Sequence, residues 1–259
     1  MQRILAVVNQ KGGVGKTTTS VNLAAALADR GLKVLLIDLD AQGNTTMSCG
    51  VNKRHVPYSV GNVLMGECRI QKAVLPLSEM GISILPGNSE LTGVDAAMRS
   101  WPDRYTRLRK VLGQLQTDYH AVILDCPPSI NIMTLNALVA ADALMIPMQC
   151  EYFALEGLSD LMETLEAVQA NVNPNLTIEG LVRTLYDPRN RLSQEVSQQL
   201  QQHFGDRLYE TVIPRNVKLA EAPGFGLSII QHDPSSKGAL AYKELAEEFL
   251  RRNPGLRNR

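Results

Sequence analysis

The chain has 259 residues, and its 26 lysines and arginines balance 26 aspartates and glutamates, so the formal net charge is zero. This balance excludes a protein that binds nucleic acid through its overall charge, but it leaves room for a local basic patch. The apolar fraction of 44% supports a buried core, and an aromatic fraction of 5% argues against a base-stacking platform. Four scattered cysteines without a CxxC pair argue against disulfides or zinc and favour a cytoplasmic protein.

Short apolar runs alternate with helical periodicity along the whole chain. Strands are predicted over 4–8, 34–37, 82–85, 121–124, 143–147, 177–184 and 211–213. Helices are predicted over 17–30, 105–115, 131–141, 155–172, 193–203 and 237–252. The strand runs are apolar on both faces, which is typical of a parallel sheet covered by helices on each side. The alternation predicts an α/β fold with a doubly wound, mainly parallel sheet.

The chain carries no linker, repeat or low-complexity tract, so we predict a single domain over 1–259. The least regular region, 43–100, is expected to contain insertions around short helices. No stretch approaches the roughly 18 apolar residues of a membrane span. The tail, 251–259, has four arginines and no acidic residue, and we predict that it is frayed.

A glycine-rich segment follows the first predicted strand and opens the first predicted helix. Its end, Gly15-Lys16-Thr17, is the end of a P-loop, in the strand–loop–helix context that phosphate binding requires. Backbone amides and the helix N-terminus would surround the phosphates of a nucleotide, Lys16 would reach the β- and γ-phosphates, and the Thr17 hydroxyl would bind Mg²⁺. The residues of this loop predicted to bind the nucleotide are Gly12, Gly13, Val14, Gly15, Lys16, Thr17 and Thr18.

The loop departs from the common GxxxxGK[ST] pattern, because Gln10 stands where the first glycine would fall and Lys11 follows it. A loop that contains Lys16 does not need a second cation for its own phosphates. Lys11 could instead contact a phosphate across a dimer interface, as an arginine finger does. Surface lysines are usually only solvated, and position alone leaves both interpretations open.

Acidic residues end two further predicted strands, at Asp38-Leu39-Asp40 and at Asp125. Ligands of open α/β sheets bind at the carboxyl ends of the strands, where these carboxylates project. Asp125 fits a Walker B position that binds Mg²⁺ directly or through water, and Asp38 and Asp40 could orient the ion and the attacking water. Helix or turn capping is the alternative for each of them, and Asp38 stays ambiguous.

Taken together, three segments resemble the deviant Walker set of the ParA/MinD ATPases: KGGVGKTT at 11–18, DLDAQGN at 38–44 and LDCPPS at 124–129. Further segments are similar to the chromosomal ParA (Soj-type) branch: EYFALEGL at 151–158, YDPRNR at 186–191 and IPRNVKLAEAPGFG at 213–226. The resemblance spans nearly the whole chain. It implies a P-loop ATPase that forms an ATP-dependent homodimer with the nucleotide sandwiched between subunits, binds DNA without sequence preference, and is released when a ParB-type partner stimulates hydrolysis.

The resemblance also assigns roles to individual residues. Lys11 matches the signature lysine that reaches the partner's nucleotide, and Gly12 matches a position where a side chain would obstruct dimer closure. Lys16 and Thr17 match the phosphate and magnesium residues, and Asp40 matches the residue required for hydrolysis. These assignments make Lys11, Lys16 and Asp40 the catalytic candidates and Thr17, Asp40 and Asp125 the metal candidates. The segment near the adenine contains Pro214 and Asn216.

For DNA, Arg189 and Lys218 match positions implicated in binding, and Arg191, Lys237 and Lys243 are plausible neighbours. These charges come from separate elements, and folding would have to gather them on one face. Contacts to phosphates would then make binding sequence-independent and strongly salt-dependent. A further basic run consists of Arg104, Arg107, Arg109 and Lys110. We interpret it as the solvent-facing side of a helix, with a role in DNA binding as the minor alternative.

The alternatives keep the fold and change the function. A MinD-like membrane-positioning ATPase needs an amphipathic C-terminal helix with a basic polar face, but Glu244, Glu247 and Glu248 lie beside the apolar stripe of the last predicted helix, so we expect no membrane contact. Iron–sulfur carriers would need suitably placed cysteines, and a ligase would need a second substrate pocket. A nearer alternative is a ParA homologue that positions a plasmid or a protein cluster on the nucleoid.

Overall fold

The computed structural model describes residues 2–152 and 154–256, and the strands within them form one eight-stranded sheet. The strands are β1 (Arg3–Val7), β2 (Val34–Asp38), β3 (Leu75–Leu77), β4 (Ile82–Leu85), β5 (Ala121–Asp125), β6 (Ala143–Gln149), β7 (Thr177–Tyr186) and β8 (Leu208–Pro214). Their order is β3-β4-β2-β5-β1-β6-β7-β8, and only the β3–β4 pair is antiparallel. The predicted α/β, mainly parallel, doubly wound sheet is confirmed.

The helices connect the strands and cover both faces of the sheet. They are α1 (Lys16–Asp29), α2 (Asn44–Ser48), α3 (Val60–Met65), α4 (Ile70–Ala73), α5 (Leu91–Met98), α6 (Arg107–Leu112), α7 (Ile132–Ala140), α8 (Ala154–Asn171), α9 (Arg191–Phe204), α10 (Val217–Glu221), α11 (Ile229–His232) and α12 (Lys237–Arg252). Short 3₁₀ helices lie at Gly205–Arg207, Ala222–Phe225 and Pro254–Leu256.

The two faces of the sheet bury separate hydrophobic cores. Leu5 and Val7 of β1 belong to the core beneath α1 and α12, whereas Ala6 and Val8 belong to the core beneath α3 and α5–α9. This alternation follows from the period of two in a strand, and apolar residues on both faces are what a doubly covered sheet requires.

One strand was not predicted. β3 has three residues with Pro76 at its centre, and it pairs only with β4 at the edge of the sheet. Proline cannot donate to a ladder and is confined to such edges, so this segment carries no strand signal of its own. Helices α2 to α5 occupy the region that was predicted to be irregular with short helices.

The frayed tail predicted from residue 251 is wrong for the part that the structure describes. α12 continues through Arg252, whose guanidinium donates to Glu248 (2.7 Å) and lies 4.0 Å from the centre of the Tyr209 ring. The next turn buries Leu256, which is 5% exposed. The arginine is therefore an anchor and not a free charge; residues 257–259 lie outside the described residues.

Strand register brings the carboxyl ends that bear the predicted site residues into one place. Val7 of β1 pairs with Asp125 of β5, and Asp38 of β2 pairs with Asp125 from the other side. The loop after β1 therefore lies beside the acidic ends of two strands. Among the described helices, none is long and apolar enough to cross a bilayer.

Candidate active site

The loop between β1 and α1 has the backbone shape of a phosphate cradle. Gly13 (φ 76°) and Gly15 (φ 87°) adopt left-handed conformations, and Gly15 is the N-cap of α1. Glycine reaches these angles without the penalty that a Cβ atom brings. A Cβ on Gly12 or Gly13 would meet no atom of this chain within 4 Å. Apart from their neighbours in the chain, no atoms of the protein therefore fill the space beside these two glycines.

Two polar side chains that the sequence did not single out hold this loop in place. Asn9 donates from Nδ2 to the carbonyl of Pro147 (2.9 Å) and accepts from the amide of Lys11 (2.9 Å). Thr184 of β7 donates its hydroxyl to the carbonyl of Val14 (2.7 Å). The partners Pro147 of Asn9 and Val14 of Thr184 are distant in sequence, so only the folded chain identifies these roles.

Lys16 lies at the start of α1 with its ammonium directed back over the loop. Its Nζ donates to the carbonyl of Lys11 (2.9 Å), and the residue is 7% exposed. Burial lowers the pKa of Lys16, while the nearby charges of Asp125 and Asp40 act in the opposite direction. Within the described residues, the hydrogen bond of this ammonium goes to a neutral carbonyl, and it is well placed to exchange that bond for phosphate oxygens.

Asp125 is the centre of a buried hydroxyl cage. It accepts from Thr17 Oγ1 (2.8 Å), Ser20 Oγ (2.7 Å) and Thr45 Oγ1 (2.5 Å), and it is 1% exposed. Burial raises the pKa of Asp125, whereas the hydrogen bonds from the hydroxyls and the charge of Lys16 favour its ionised form. The structure thus brings together Thr17 and Asp125, two of the three predicted metal residues, and adds Ser20 and Thr45.

Asp38 and Asp40 have different surroundings. Asp38 is fully buried, and its carboxylate accepts from the amide (2.8 Å) and hydroxyl (2.7 Å) of Thr46. Burial, together with the charge of Asp125, raises the pKa of Asp38 to about 7. These bonds favour the capping interpretation of Asp38, which holds α2 against the sheet. Asp40 is half-buried and accepts from the amide of Gln42 (2.9 Å).

The donor set fits Mg²⁺ of the kind that binds with a nucleotide. Mg²⁺ usually takes one or two protein oxygens and completes its shell with water and substrate phosphates. Thr17 Oγ1 and the carboxylates of Asp125 and Asp40 supply such oxygens. In the described part of the chain no group of three or more His, Cys, Asp or Glu side chains is arranged to hold a metal by itself.

Lys11 lies at the rim of the loop and is held by a residue that follows β6, the strand beside β1. Its Nζ donates to Glu151 Oε2 (2.5 Å), and the two side chains are 39% and 44% exposed. Glu151 begins the EYFALEGL segment, of which Phe153 lies outside the described residues. The ammonium of Lys11 is thus bound to an exposed carboxylate of its own chain.

The two residues predicted near the adenine follow β8. Pro214 is the last residue of β8 and pairs with Tyr186 of β7. Asn216 caps α10 by accepting from the amide of Leu219 (3.1 Å). The Oδ1 atom of Asn216 thus stabilises the start of α10.

The predicted DNA-binding residues fall into two groups. The first group lies at the carboxyl end of the sheet: Arg189 and Arg191 follow β7, and Lys218 follows β8. Lys237 belongs to this group because it starts α12, where the next residue, Gly238, packs on Leu219 of α10. Lys243 does not share this end, because it lies beside Glu210 and Thr211 of β8, about 9 Å further along α12. Arg215, which the sequence did not single out, belongs with the first group.

A P-loop with a buried lysine and a hydroxyl–carboxylate pair, at the carboxyl ends of a doubly wound sheet, defines the class of P-loop nucleotide-binding proteins. A family profile described as an AAA domain matches residues 2–178. The chain belongs to the ParA/Soj family of chromosome-partitioning ATPases, which the relatives below show.

The chromosome partitioning protein ParA of Caulobacter vibrioides is 45% identical over 252 residues, covering 96% of this chain and 94% of that protein. The chromosome-partitioning ATPase Soj of Thermus thermophilus is 48% identical over 250 residues, covering 96% of each. A crystal structure of cobyrinic acid a,c-diamide synthase from Mycobacterium smegmatis with bound ADP and magnesium superimposes with a TM-score of 0.85 at 37% identity, over 98% of this chain and 96% of that one. Membership of this family implies nucleotide hydrolysis.

Proposed function

We propose that this chain is a single-domain ATPase that partitions DNA. ATP and Mg²⁺ close two copies into a dimer that binds DNA without sequence preference, and a ParB-type partner stimulates hydrolysis and releases it. The protein then works in the cytoplasm, associated with the nucleoid. The observation that carries the proposal is the division of labour between two lysines: Lys16 is buried over its own phosphate cradle, while Lys11 stands exposed at the rim.

ATP would be held by the loop amides, Lys16 and Thr18, and the adenine would lie near Pro214 and Asn216. Mg²⁺ would be held by Thr17, Asp125 and Asp40, where it neutralises phosphate charge. Asp40 is the least buried of the three aspartates Asp38, Asp40 and Asp125, and we assign it the placement of the attacking water. The open space over Gly12 would receive the partner's Lys11 and nucleotide.

The DNA surface would consist of the exposed basic residues at the carboxyl ends of β7 and β8. Arg189 pairs with Asp187, Arg191 with Glu195 and Lys218 with Glu221, and the basic side chains are 88%, 92% and 49% exposed. Such exposed pairs contribute little, so a phosphate can displace the carboxylate. Dimerisation would double these contacts, and affinity would rise through effective concentration.

The first alternative concerns the cargo: the same ATP-dependent change in DNA affinity could position a plasmid or a protein cluster. A MinD-like membrane role is disfavoured by α12, whose Leu245, Phe249 and Leu250 are buried in the core beneath the sheet. The amide synthase among the similar structures raises a second alternative: an ATP-dependent ligase that activates a carboxylate.

The test is binding of a labelled random-sequence duplex with a slowly hydrolysed ATP analogue, with ADP and without nucleotide, across a salt series. We expect binding only with the analogue, and a steep loss with salt because counterions are released from the phosphates. Intrinsic turnover is expected to be slow, since fast hydrolysis would discharge the dimer before it met its partner.

Absence of duplex binding in every nucleotide state, with ATP hydrolysis intact, would refute the DNA-partitioning proposal. Nucleotide-dependent binding to anionic vesicles would then support the membrane alternative. ATP turnover that requires a carboxylate co-substrate would support the ligase.

A further inference from the structure

A cavity far from the P-loop has a strongly basic lining. It has a volume of about 690 Å³ and lies between α3, α4 and α6, on the face of the sheet opposite α1. Four of its lining residues are basic, namely Arg69, Lys72, Arg107 and Lys110, and only Glu67 is acidic. In a chain with zero net charge, this is a local excess of positive charge.

The bases come from separate segments that face the same space. Arg69 is the N-cap of α4 and Lys72 lies in its last turn, while Arg107 and Lys110 lie one turn apart on α6. The segments are tied together, because Gln71 donates to the carbonyl of Gln114 after α6. The two pairs of cations therefore line one volume from two different helices.

Few carboxylates compensate these cations. Asp103 forms ion pairs with both Lys110 (2.9 Å) and Arg107 (3.5 Å). The Glu67 carboxylate accepts a hydrogen bond from the neutral Asn62 side chain (2.7 Å). Within the described residues, neither Arg69 nor Lys72 forms an ion pair. Two cations thus have no counter-charge of their own.

Arg107 is fixed in position. Its guanidinium donates twice to the carbonyl of Leu64 (2.6 and 3.1 Å) and lies 4.8 Å from the centre of the Trp101 ring, and its side chain is 25% exposed. The expectation that this basic run is only a solvent-facing coat therefore fails for Arg107. One wall of the cavity carries a preorganised cation, which lowers the entropy cost of binding an anion.

We propose that this cavity binds a small, multiply charged phosphate compound, either a nucleotide or an inorganic polyphosphate. Its volume lies within the range of about 300–1,000 Å³ that is usual for small-ligand sites. The cavity opens to solvent, since Arg69, Lys72 and Lys110 are exposed, and a concave space of this size suits a compact anion better than the convex backbone of a duplex. The site is separate from the P-loop, and the proposal does not depend on the proposed function.

Cys68 makes the cavity directly testable, since it lines the cavity and is half-buried, whereas Cys49, Cys126 and Cys150 are buried. Alkylation of Cys68 can be followed in the full chain carrying Lys16→Ala, which removes phosphate binding at the P-loop. The probes are inorganic tripolyphosphate, ADP and, for comparison, hexaglutamate. A phosphate probe at tenfold its dissociation constant should slow alkylation about tenfold by mass action.

The variants separate this site from general electrostatics. Lys72→Glu should abolish the protection, measured as the ratio of rates with and without the probe, because the ratio cancels its effect on the reactivity of Cys68. Lys33→Glu changes the same charge at an exposed position outside the cavity and should keep the full protection.

Protection by ADP and tripolyphosphate alike points to the phosphate chain as the recognised group, and protection by ADP alone points to a nucleotide. Protection by hexaglutamate but by neither phosphate probe would overturn the proposal in favour of an acidic peptide. No protection by any probe, or equal loss of protection in both variants, would also overturn it.

Discussion

Glu151→Gln is expected to strengthen ATP-dependent dimerisation, because it releases the Lys11 side chain. In the structure the ammonium of Lys11 is bound to the Glu151 carboxylate at 2.5 Å, on its own subunit. In the proposed dimer the same ammonium must reach the partner's nucleotide. The intramolecular ion pair therefore competes with closure, and its removal favours the dimer.

The size of the effect follows from the exposure of the pair. The side chains are 39% and 44% exposed, and exposed ion pairs contribute roughly 0.2–1 kcal/mol. A dimer breaks two such pairs, so closure is opposed by roughly 0.4–2 kcal/mol. This corresponds to about a 2- to 30-fold lower dimer dissociation constant for the variant.

Sedimentation velocity with Mg²⁺ and a slowly hydrolysed ATP analogue measures this constant over a concentration series. Glu166→Gln is the matched control, because it removes the same charge from an exposed position on α8. The difference between wild type and Glu151→Gln should shrink at high salt, since salt screens the exposed pair.

A dissociation constant for Glu151→Gln that equals or exceeds that of wild type would refute this reasoning. An equal gain in Glu166→Gln would show that overall charge, and not the release of Lys11, is responsible.

Three further predictions address separate parts of the molecule. Asp40→Ala should keep analogue-driven dimerisation and lose about 100-fold or more in phosphate release, since water placement by a base contributes this much; near-normal turnover would remove Asp40 from the mechanism. Arg189→Glu should leave dimerisation intact and reduce the slope of log affinity against log salt by about 2, one phosphate contact per subunit; an unchanged slope would exclude Arg189 from the DNA surface. Glu248→Gln should lower the free energy of unfolding by about 2 kcal/mol, because Glu248 is 3% exposed and accepts from the amides of Glu210 and Thr211 and from Arg252. Burial acts to raise the pKa of Glu248, but these hydrogen bonds hold that pKa below its usual value of 4.5. The ionised Glu248 therefore stabilises the fold at pH values above 4.5, and this stabilisation is lost as the pH falls through the lowered pKa of the folded protein. Chemical denaturation should therefore show that the free energies of unfolding of wild type and Glu248→Gln become equal in acid. Glu244→Gln, at an exposed position, should have the free energy of unfolding of wild type at every pH.

Much of the fold was accessible from local patterns. The apolar runs of β1, β2, β5 and β6 are buried on both faces, and that pattern alone indicates a covered parallel sheet. β3 was not accessible, because a three-residue edge strand around a proline exists only through its pairing with β4. The packing of residues 251–256 against the domain was also not predicted, because it depends on contacts of Arg252 with Glu248 and Tyr209.

The site divides in the same way. Gly15, Lys16 and Thr17 were found from sequence because a P-loop is a contiguous segment whose backbone conformation and helix start are local properties. Asn9, Thr184 and Glu151 left no comparable signal, since their roles lie in bonds to Pro147, Val14 and Lys11 across the sheet.

By itself, the sequence determined the class of fold, the phosphate loop and the acidic residues that end its strands, because each depends on neighbours along the chain. Only the tertiary structure decided the strand order that sets Asp125 between Val7 and Asp38, and the hydroxyl cage around that carboxylate. It also separated Lys243 from the other basic residues and gathered the cations of α4 and α6 around one cavity. Charges that are scattered along a chain acquire a common function only when folding sets the distances between them, because electrostatic interactions fall off within about 8–10 Å in salt.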